Sequence, residues 1–147
     1  MFARALGVWL GILVLAVLNG AVRDLIVTPQ LGEPTGHIAS TIVLCVLIAL
    51  VTRASIRWIG PASRMDAALI GTSWLTLTLS FELLAGHYLF GNSWARLLAD
   101  YNVRRGRIWP LVLVTVLLAP VWARERTTAG RARAVTSARE DAVVRTA

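Results

Sequence analysis

Residues 67–90 read AALIGTSWLTLTLSFELLAGHYLF, and within them only Glu82 and His87 can carry a charge near neutral pH. A helix that crosses a bilayer needs about 20 predominantly apolar residues. This run of 24 residues is therefore long enough to span a membrane without help from its neighbours. It predicts a transmembrane helix that carries an acidic side chain in its second half.

Three further apolar runs lie at residues 5–22, 38–52 and 108–123. The first is long enough to span, whereas the second and fourth are short. Arg53 and Arg57 can lengthen the second run by snorkelling towards Trp58 at the interface. Pro110 suits the first turn of a helix in the fourth run. The pattern predicts an all-α, polytopic integral membrane protein with four transmembrane helices in an up-down bundle.

Residues 1–123 form the predicted transmembrane domain, and residues 124–147 form a basic cytoplasmic tail that is disordered or weakly helical. Two alternatives remain open at this point. The short runs suit buried helices of a soluble protein, but too little polar sequence is left to cover such a core. The first run resembles a signal peptide, but it has no A-x-A cleavage pattern and is long for one.

The composition excludes several classes of protein. Hydrophobic residues make up 56% of the chain and charged residues only 16%, against about 25% charge in soluble domains. All 15 positively charged residues are Arg, and all of them lie outside the apolar runs, which is the pattern of segments that flank membrane spans and not of a nucleic-acid-binding surface. The single cysteine, Cys45, excludes an intramolecular disulfide. Exclusive Arg with abundant Ala indicates a bacterial source, and we expect the cytoplasmic membrane as the location.

Arginine placement also predicts the orientation. With four spans, ten Arg lie on the side of both termini and the second loop, and five lie on the other side. The positive-inside rule then places both termini in the cytoplasm. The polar residues at the ends of the spans consequently gather at the outer face. The candidate ligand-binding residues are Asn19, Arg23, His37, Glu82, His87, Arg96, Asp100, Arg104, Arg105 and Arg107.

Glu82 is the sharpest candidate, because it lies roughly 12 Å along the helix from Phe90 at 1.5 Å per residue. An ionisable group at such depth usually faces the bundle interior and has a partner. Arg23 is the expected partner, with Asn19 one turn deeper as the other candidate. Glu82 is then either half of a structural pair, or a proton acceptor or cation ligand.

Glu82 and His87 are also the candidate catalytic residues. A His2Glu zinc site that adds His37 is chemically conceivable, but the three spacings are unrelated, so neither a metal nor a cofactor is predicted. Residues 91–101 are expected to form a short amphipathic helix in the interface. The arginines that follow it could hold an anionic headgroup or phosphate.

Three classes of function fit these features. We favour a non-enzymatic membrane protein that binds or transports an ion or an anionic small molecule at the outer ends of its helices. The alternatives are a membrane enzyme that acts on a lipid headgroup and an accessory subunit with a structural polar cluster. Common motifs of hydrolases, nucleotide-binding proteins and metalloproteases are absent from the sequence.

Small residues in the first run suggest contacts between helices. Gly7 and Gly11 lie four residues apart, as do Ala16 and Gly20, on largely opposite faces of one helix. Small residues let helix backbones approach closely in lipid. We expect Ala16 and Gly20 to pack inside the bundle, and Gly7 and Gly11 to contact a second copy of the chain. The other expected partners are the bilayer and an anionic lipid or small anion.

Overall fold

The computed structural model describes residues 1–89, 91, 93, 94 and 108–146, and all secondary structure assigned within them is helical. Helix α1 (Phe2–Val22) continues through a π-helical turn (Arg23–Val27) into the short α2 (Thr28–Leu31). Helix α3 covers Glu33–Ile59. Helix α4 (Arg64–Leu84) ends in a second π-helical turn (Ala85–Leu89), and α5 covers Pro110–Thr146.

Local chemistry explains where the helices begin and end. Gly32 separates α2 from α3. Its φ of +81° is a backbone conformation that residues other than glycine rarely adopt. Gly60 ends α3 in the left-handed conformation. Ser63 and Asp66 then form a capping box, in which the Ser63 hydroxyl accepts from the Asp66 N–H. The turn between α3 and α4 is therefore short and well defined.

Three helical stretches of the described chain are long and apolar enough to cross a membrane: Phe2–Leu31, Glu33–Ile59 and Arg64–Tyr88. The first two contain the apolar runs 5–22 and 38–52, the third covers residues 67–88 of the run 67–90, and each helix starts earlier than its run. The fourth run lies in α5, where an 18-residue stretch from Pro110 already includes Arg124, Glu125 and Arg126. For that reason α5 does not qualify by length and composition alone.

Packing places α5 between α3 and α4, so that these two consecutive helices both lie along it. Helix α1 packs on α3 and meets α4 over a shorter length. The core lies where the helices converge and includes Ile12, Leu44, Ile48, Trp74 and Val116. Many large apolar residues outside this core are exposed, which is the kind of surface that a bilayer covers.

Helices α4 and α5 approach most closely at Gly71. A Cβ at this position would overlap the backbone carbonyl group of Leu117. Gly71 is buried, so the neighbouring backbone occupies the space that a side chain would need. The packing of α5 on α4 thus depends on a glycine at position 71.

The remaining sequence predictions have mixed outcomes. The sequence predicts that the basic tail is disordered or weakly helical. In the structure the tail is helical, because α5 continues to Thr146. Of the expected amphipathic helix at 91–101, only Gly91, Ser93 and Trp94 are among the described residues. That prediction therefore falls largely outside what the structure describes.

Candidate functional site

Polar residues meet where the end of α1 lies beside the start of α3. The Asn19 amide nitrogen donates a hydrogen bond to the Ser40 carbonyl at 3.1 Å. The Thr41 hydroxyl donates to the His37 carbonyl at 2.7 Å and stays within its own helix. Asn19 consequently ties α1 to α3.

Arg23 lies in the same region, in the π-helical turn that extends α1. Its Nε donates to Asp24 Oδ1 at 2.8 Å, and its Nη1 lies 3.3 Å from His37 Nδ1. A guanidinium can only donate, so in a hydrogen bond between these two groups Nδ1 of His37 is the acceptor. Arg23 therefore has a carboxylate and an imidazole as partners, and its positive charge is locally compensated.

The expected pair between Glu82 and Arg23 is wrong. Within the described part of the chain, Arg23 forms its ion pair with Asp24. Asn19, the other expected partner of Glu82, directs its amide nitrogen to Ser40. The physical reason is proximity along the chain: Asp24 is the next residue after Arg23, whereas Glu82 lies on a different helix.

Glu82 instead lines a cavity of about 160 Å³. All four long helices contribute to the wall, and Glu82 and Thr78 are its polar members among the described residues. The remaining described lining residues are Trp9, Ile12, Leu13, Ala16, Val17, Leu44, Ile48, Phe81, Trp109, Val112 and Val116. The cavity is therefore an apolar and partly aromatic chamber with one carboxylate.

Two indole hydrogen bonds join α1 to α4, and the first of them lies in the wall of this cavity. Trp9 Nε1 donates to the Thr78 hydroxyl at 3.1 Å, and Trp74 Nε1 donates to the Ala5 carbonyl at 3.0 Å. Thr78 lies one helical turn before Glu82, so the first bond fixes the wall next to the carboxylate. The Oε1 atom of Glu82 is buried.

His87 lies apart from the cavity wall, in the π-helical turn after α4. Its ring stacks on Trp94 with centroids 4.2 Å apart and meets the edge of Tyr88 at 4.9 Å. Among the described residues, no three His, Cys, Asp or Glu side chains are grouped closely enough to hold a metal ion. The structure accordingly does not unite His37, His87 and Glu82 in one site.

The candidate residues of the third loop cannot be placed relative to the cavity. Arg96, Asp100, Arg104, Arg105 and Arg107 lie outside the described residues, and their role stays a prediction. Of the other candidates, Asn19, Arg23 and His37 form one cluster, and Glu82 belongs to the cavity.

Sequence reasoning missed the aromatic wall of the cavity. Thr78 could have been found from its position one turn before Glu82, on the same helix face. Trp9 and Trp109 could not, because nothing in the spacing of residues on different helices indicates which of them face each other.

Compared with models of protein families, with characterised proteins and with solved structures, the chain matches none of them. The geometry of the cavity and of the polar clusters therefore carries the functional argument alone.

Proposed function

We propose that this is a multi-pass membrane protein that binds a small organic cation in the cavity at Glu82. The observation that supports this most is the position of Glu82 in the wall of a chamber that also contains Trp9, Phe81 and Trp109. Aromatic faces attract quaternary ammonium groups and other cations, more strongly when water is excluded. A carboxylate among such rings supplies the opposite charge.

Of the two ligand classes expected from the sequence, an ion or an anionic small molecule, the described wall of this cavity favours an ion that is a cation. No Arg is among the described residues of the wall. The nearest candidate by sequence, Arg23, is engaged with Asp24 and His37. Among the described residues, the wall therefore offers an anion a carboxylate and no guanidinium.

Choline is a suitable probe of the proposed site, because 3,3-dimethylbutan-1-ol has the same shape without the charge. We expect purified protein in neutral detergent to bind choline and to reject the alcohol in a calorimetric titration. Glu82→Gln should weaken choline binding by about tenfold or more, since the quaternary ammonium has no N–H and is held by its attraction to the carboxylate charge, about 4 kcal/mol for unit charges 4 Å apart near a protein surface. Its melting temperature should stay close to that of the wild type, because Gln has nearly the same shape.

Glu33→Gln is the matched control, because it removes the same charge from an exposed position at the start of α3. This variant should bind choline as the wild type does. Unchanged binding in Glu82→Gln, or equal binding of the neutral alcohol, would contradict the proposal.

The same proposal includes four spans in an up-down bundle. Helix α5 packs along both α3 and α4 despite its short apolar part, which supports a fourth crossing. At one end of the bundle, Arg4 Nη1 donates to the Trp58 carbonyl at 2.9 Å, and Arg64 lies 3.2 Å from Glu125. We call this region, formed by the start of α1, the α3–α4 turn and residues 122–128, the arginine end. The positive-inside rule places it, with both termini, on the cytoplasmic side of a bacterial membrane.

Cysteine labelling of intact cells tests this orientation. Cys45 is half-buried within α3, so the native background should be low. New cysteines at the exposed positions Ala62 and Thr128 should be protected from an impermeant maleimide, whereas one at Gln30 should react. Gln30 is preferable to Gly32, whose positive φ a cysteine would strain. Reaction at Ala62 and Thr128 with protection at Gln30 would invert the topology.

A contact between two copies of the chain through Gly7 and Gly11 stays part of this proposal. Both glycines are exposed, and a Cβ added to either would meet no atom within 4 Å. The single chain therefore leaves this face of α1 unused. Of Ala16 and Gly20, which are both expected from the sequence to pack inside the bundle, Ala16 packs against the core. A Cβ on Gly20 would meet no atom within 4 Å.

A further inference from the structure

A second pocket, of about 230 Å³, lies at the arginine end of the bundle, far along the helices from Glu82. Its wall is formed by the end of α3, the α3–α4 turn and one face of α5. The charged side chains among its described lining residues are Arg57 and Arg124, with no acid beside them. The pocket thus presents two guanidinium groups from two different helices.

These two arginines retain hydrogen-bonding capacity. Arg124 Nη2 donates to the Ala62 carbonyl at 2.8 Å, which fixes the guanidinium and leaves its other N–H groups for a ligand. Arg57 is exposed and forms no hydrogen bond or ion pair with any residue that the structure describes. Two guanidinium groups that line one pocket suit the oxygens of a phosphate group, which Arg binds bidentately.

The acidic groups near this pocket are already engaged. Glu125 lies 3.2 Å from Arg64 in an ion pair. Asp66 accepts hydrogen bonds from the N–H groups of Ala62 and Ser63 at 3.0 Å and 2.9 Å. Neither carboxylate therefore bonds to Arg57 or Arg124, and among the described residues no acid pairs with these two guanidinium groups.

Two carbonyl groups at the end of α3 also have hydrogen-bond donors other than Arg57 and Arg124. The Ile56 carbonyl accepts from the Gly60 N–H at 3.0 Å, and the Trp58 carbonyl accepts from Arg4. Carbonyl groups that end a helix would repel an anion if they were left open. Because these two have donors, a phosphate in the pocket would meet mainly the guanidinium groups.

Exposed tryptophans place the pocket at the level of lipid headgroups. Trp58 and Trp122 are 56% and 38% exposed and carry Arg4 and Arg126 over their rings at 5.6 Å and 5.9 Å. Trp is enriched where the apolar core of a bilayer meets water. Basic pockets between transmembrane helices on the cytoplasmic side are also places where acidic headgroups bind.

From these observations we infer that the pocket between Arg57 and Arg124 binds the phosphodiester of an anionic phospholipid headgroup. The site is independent of the cavity at Glu82, which lies near the other ends of the helices. Its occupant is a lipid because the phosphate would sit at headgroup depth, beside the exposed apolar surface of α3.

Native mass spectrometry of the full chain in neutral detergent, with added phosphatidylglycerol, tests this inference. We expect a bound phosphatidylglycerol, with weaker retention of the zwitterionic phosphatidylcholine. The double variant Arg57→Gln/Arg124→Gln should bind about 30-fold more weakly, since each Arg near a lipid surface contributes about fivefold. Arg57→Gln alone should lose about fivefold with an unchanged melting temperature, because Arg57 bonds to no described residue. This single variant keeps the test valid if the double variant unfolds.

The double variant Arg53→Gln/Arg133→Gln is the matched control, because it removes two exposed positive charges that do not line the pocket. Its affinity for phosphatidylglycerol should stay within a factor of about two of the wild-type value. This result is expected if the lipid binds in a specific pocket, and not if it is attracted only by the overall positive charge. Equal losses in both double variants, or no loss in the single variant, would overturn the inference. Glycerophosphoglycerol, a phosphodiester without acyl chains, serves as the soluble headgroup. If it fails to displace phosphatidylglycerol, the ligand is a membrane lipid. If it displaces the lipid at a concentration equal to that of the lipid, the pocket binds a free anion instead.

Discussion

Gly71→Ala is expected to destabilise the protein by about 3 kcal/mol or more, at or beyond the upper end of the range for overpacked cores. A Cβ at this position would overlap the carbonyl group of Leu117, which belongs to the backbone and cannot rotate away. Helices α4 and α5 would have to separate, and the contacts of α5 along α4 would weaken over several turns. Thermal unfolding in detergent, followed by the loss of helical circular dichroism, measures this effect.

Gly20→Ala provides the matched control on α1. A Cβ on Gly20 would meet no atom within 4 Å, so the same substitution adds no clash there. Alanine is the better helix former by roughly 0.5–1 kcal/mol, and we expect the melting temperature of this variant to stay or rise slightly. If Gly71→Ala is as stable as Gly20→Ala, the close packing of α4 on α5 is not needed for the fold.

The lengths of the apolar runs predicted the helices well, but not their ends. The first run ends at residue 22 because Arg23 and Asp24 follow, yet the helical stretch that could span continues to Leu31. The two charges bond to each other, which lowers the cost of keeping them in the helix. A count of uncharged residues treats every charge as a boundary and misses charges that neutralise one another.

The position of Glu82 along its helix also followed from sequence, whereas its surroundings did not. Rise per residue sets how far the residue lies from each end of the apolar run, whatever the other helices do. Its neighbours depend on the rotation of α1 and α5 about their axes, which the spacing of residues within α4 does not determine. The choice between an ion pair with Arg23 and a cavity therefore required the structure.

The spacing of glycines likewise did not predict where two helices of the chain approach each other most closely. The four-residue steps in α1 marked glycines at which an added Cβ would meet no described atom within 4 Å, whereas at the isolated Gly71 it would overlap the backbone of a neighbouring helix. A repeated small-residue pattern indicates that a helix could pack closely. Which glycine lies at a close helix contact depends on the neighbouring helix. Here α5 lies between α3 and α4, and no local sequence pattern in these helices specifies that arrangement.

Trp74→Ala should cost about 3–5 kcal/mol, the range for removing a buried aromatic side chain. Trp74 is 1% exposed and belongs to the core where the helices converge. Its indole also donates to the Ala5 carbonyl at 3.0 Å, so alanine would remove one of two indole hydrogen bonds between α1 and α4. Helices α1 and α4 meet over a short length, and few other contacts can compensate.

Trp74→Phe separates the two contributions, because it keeps most of the ring and loses the N–H donor. Its loss should be smaller, with about 1 kcal/mol from the hydrogen bond in addition to the reduced volume. Trp58→Ala removes an indole that is 56% exposed and should change stability by no more than about 1 kcal/mol, the strength of an exposed cation–π contact. Similar melting temperatures for Trp74→Ala and Trp58→Ala would mean that lipid or detergent replaces the contacts of Trp74, and that α1 is held to the bundle by its packing on α3 alone.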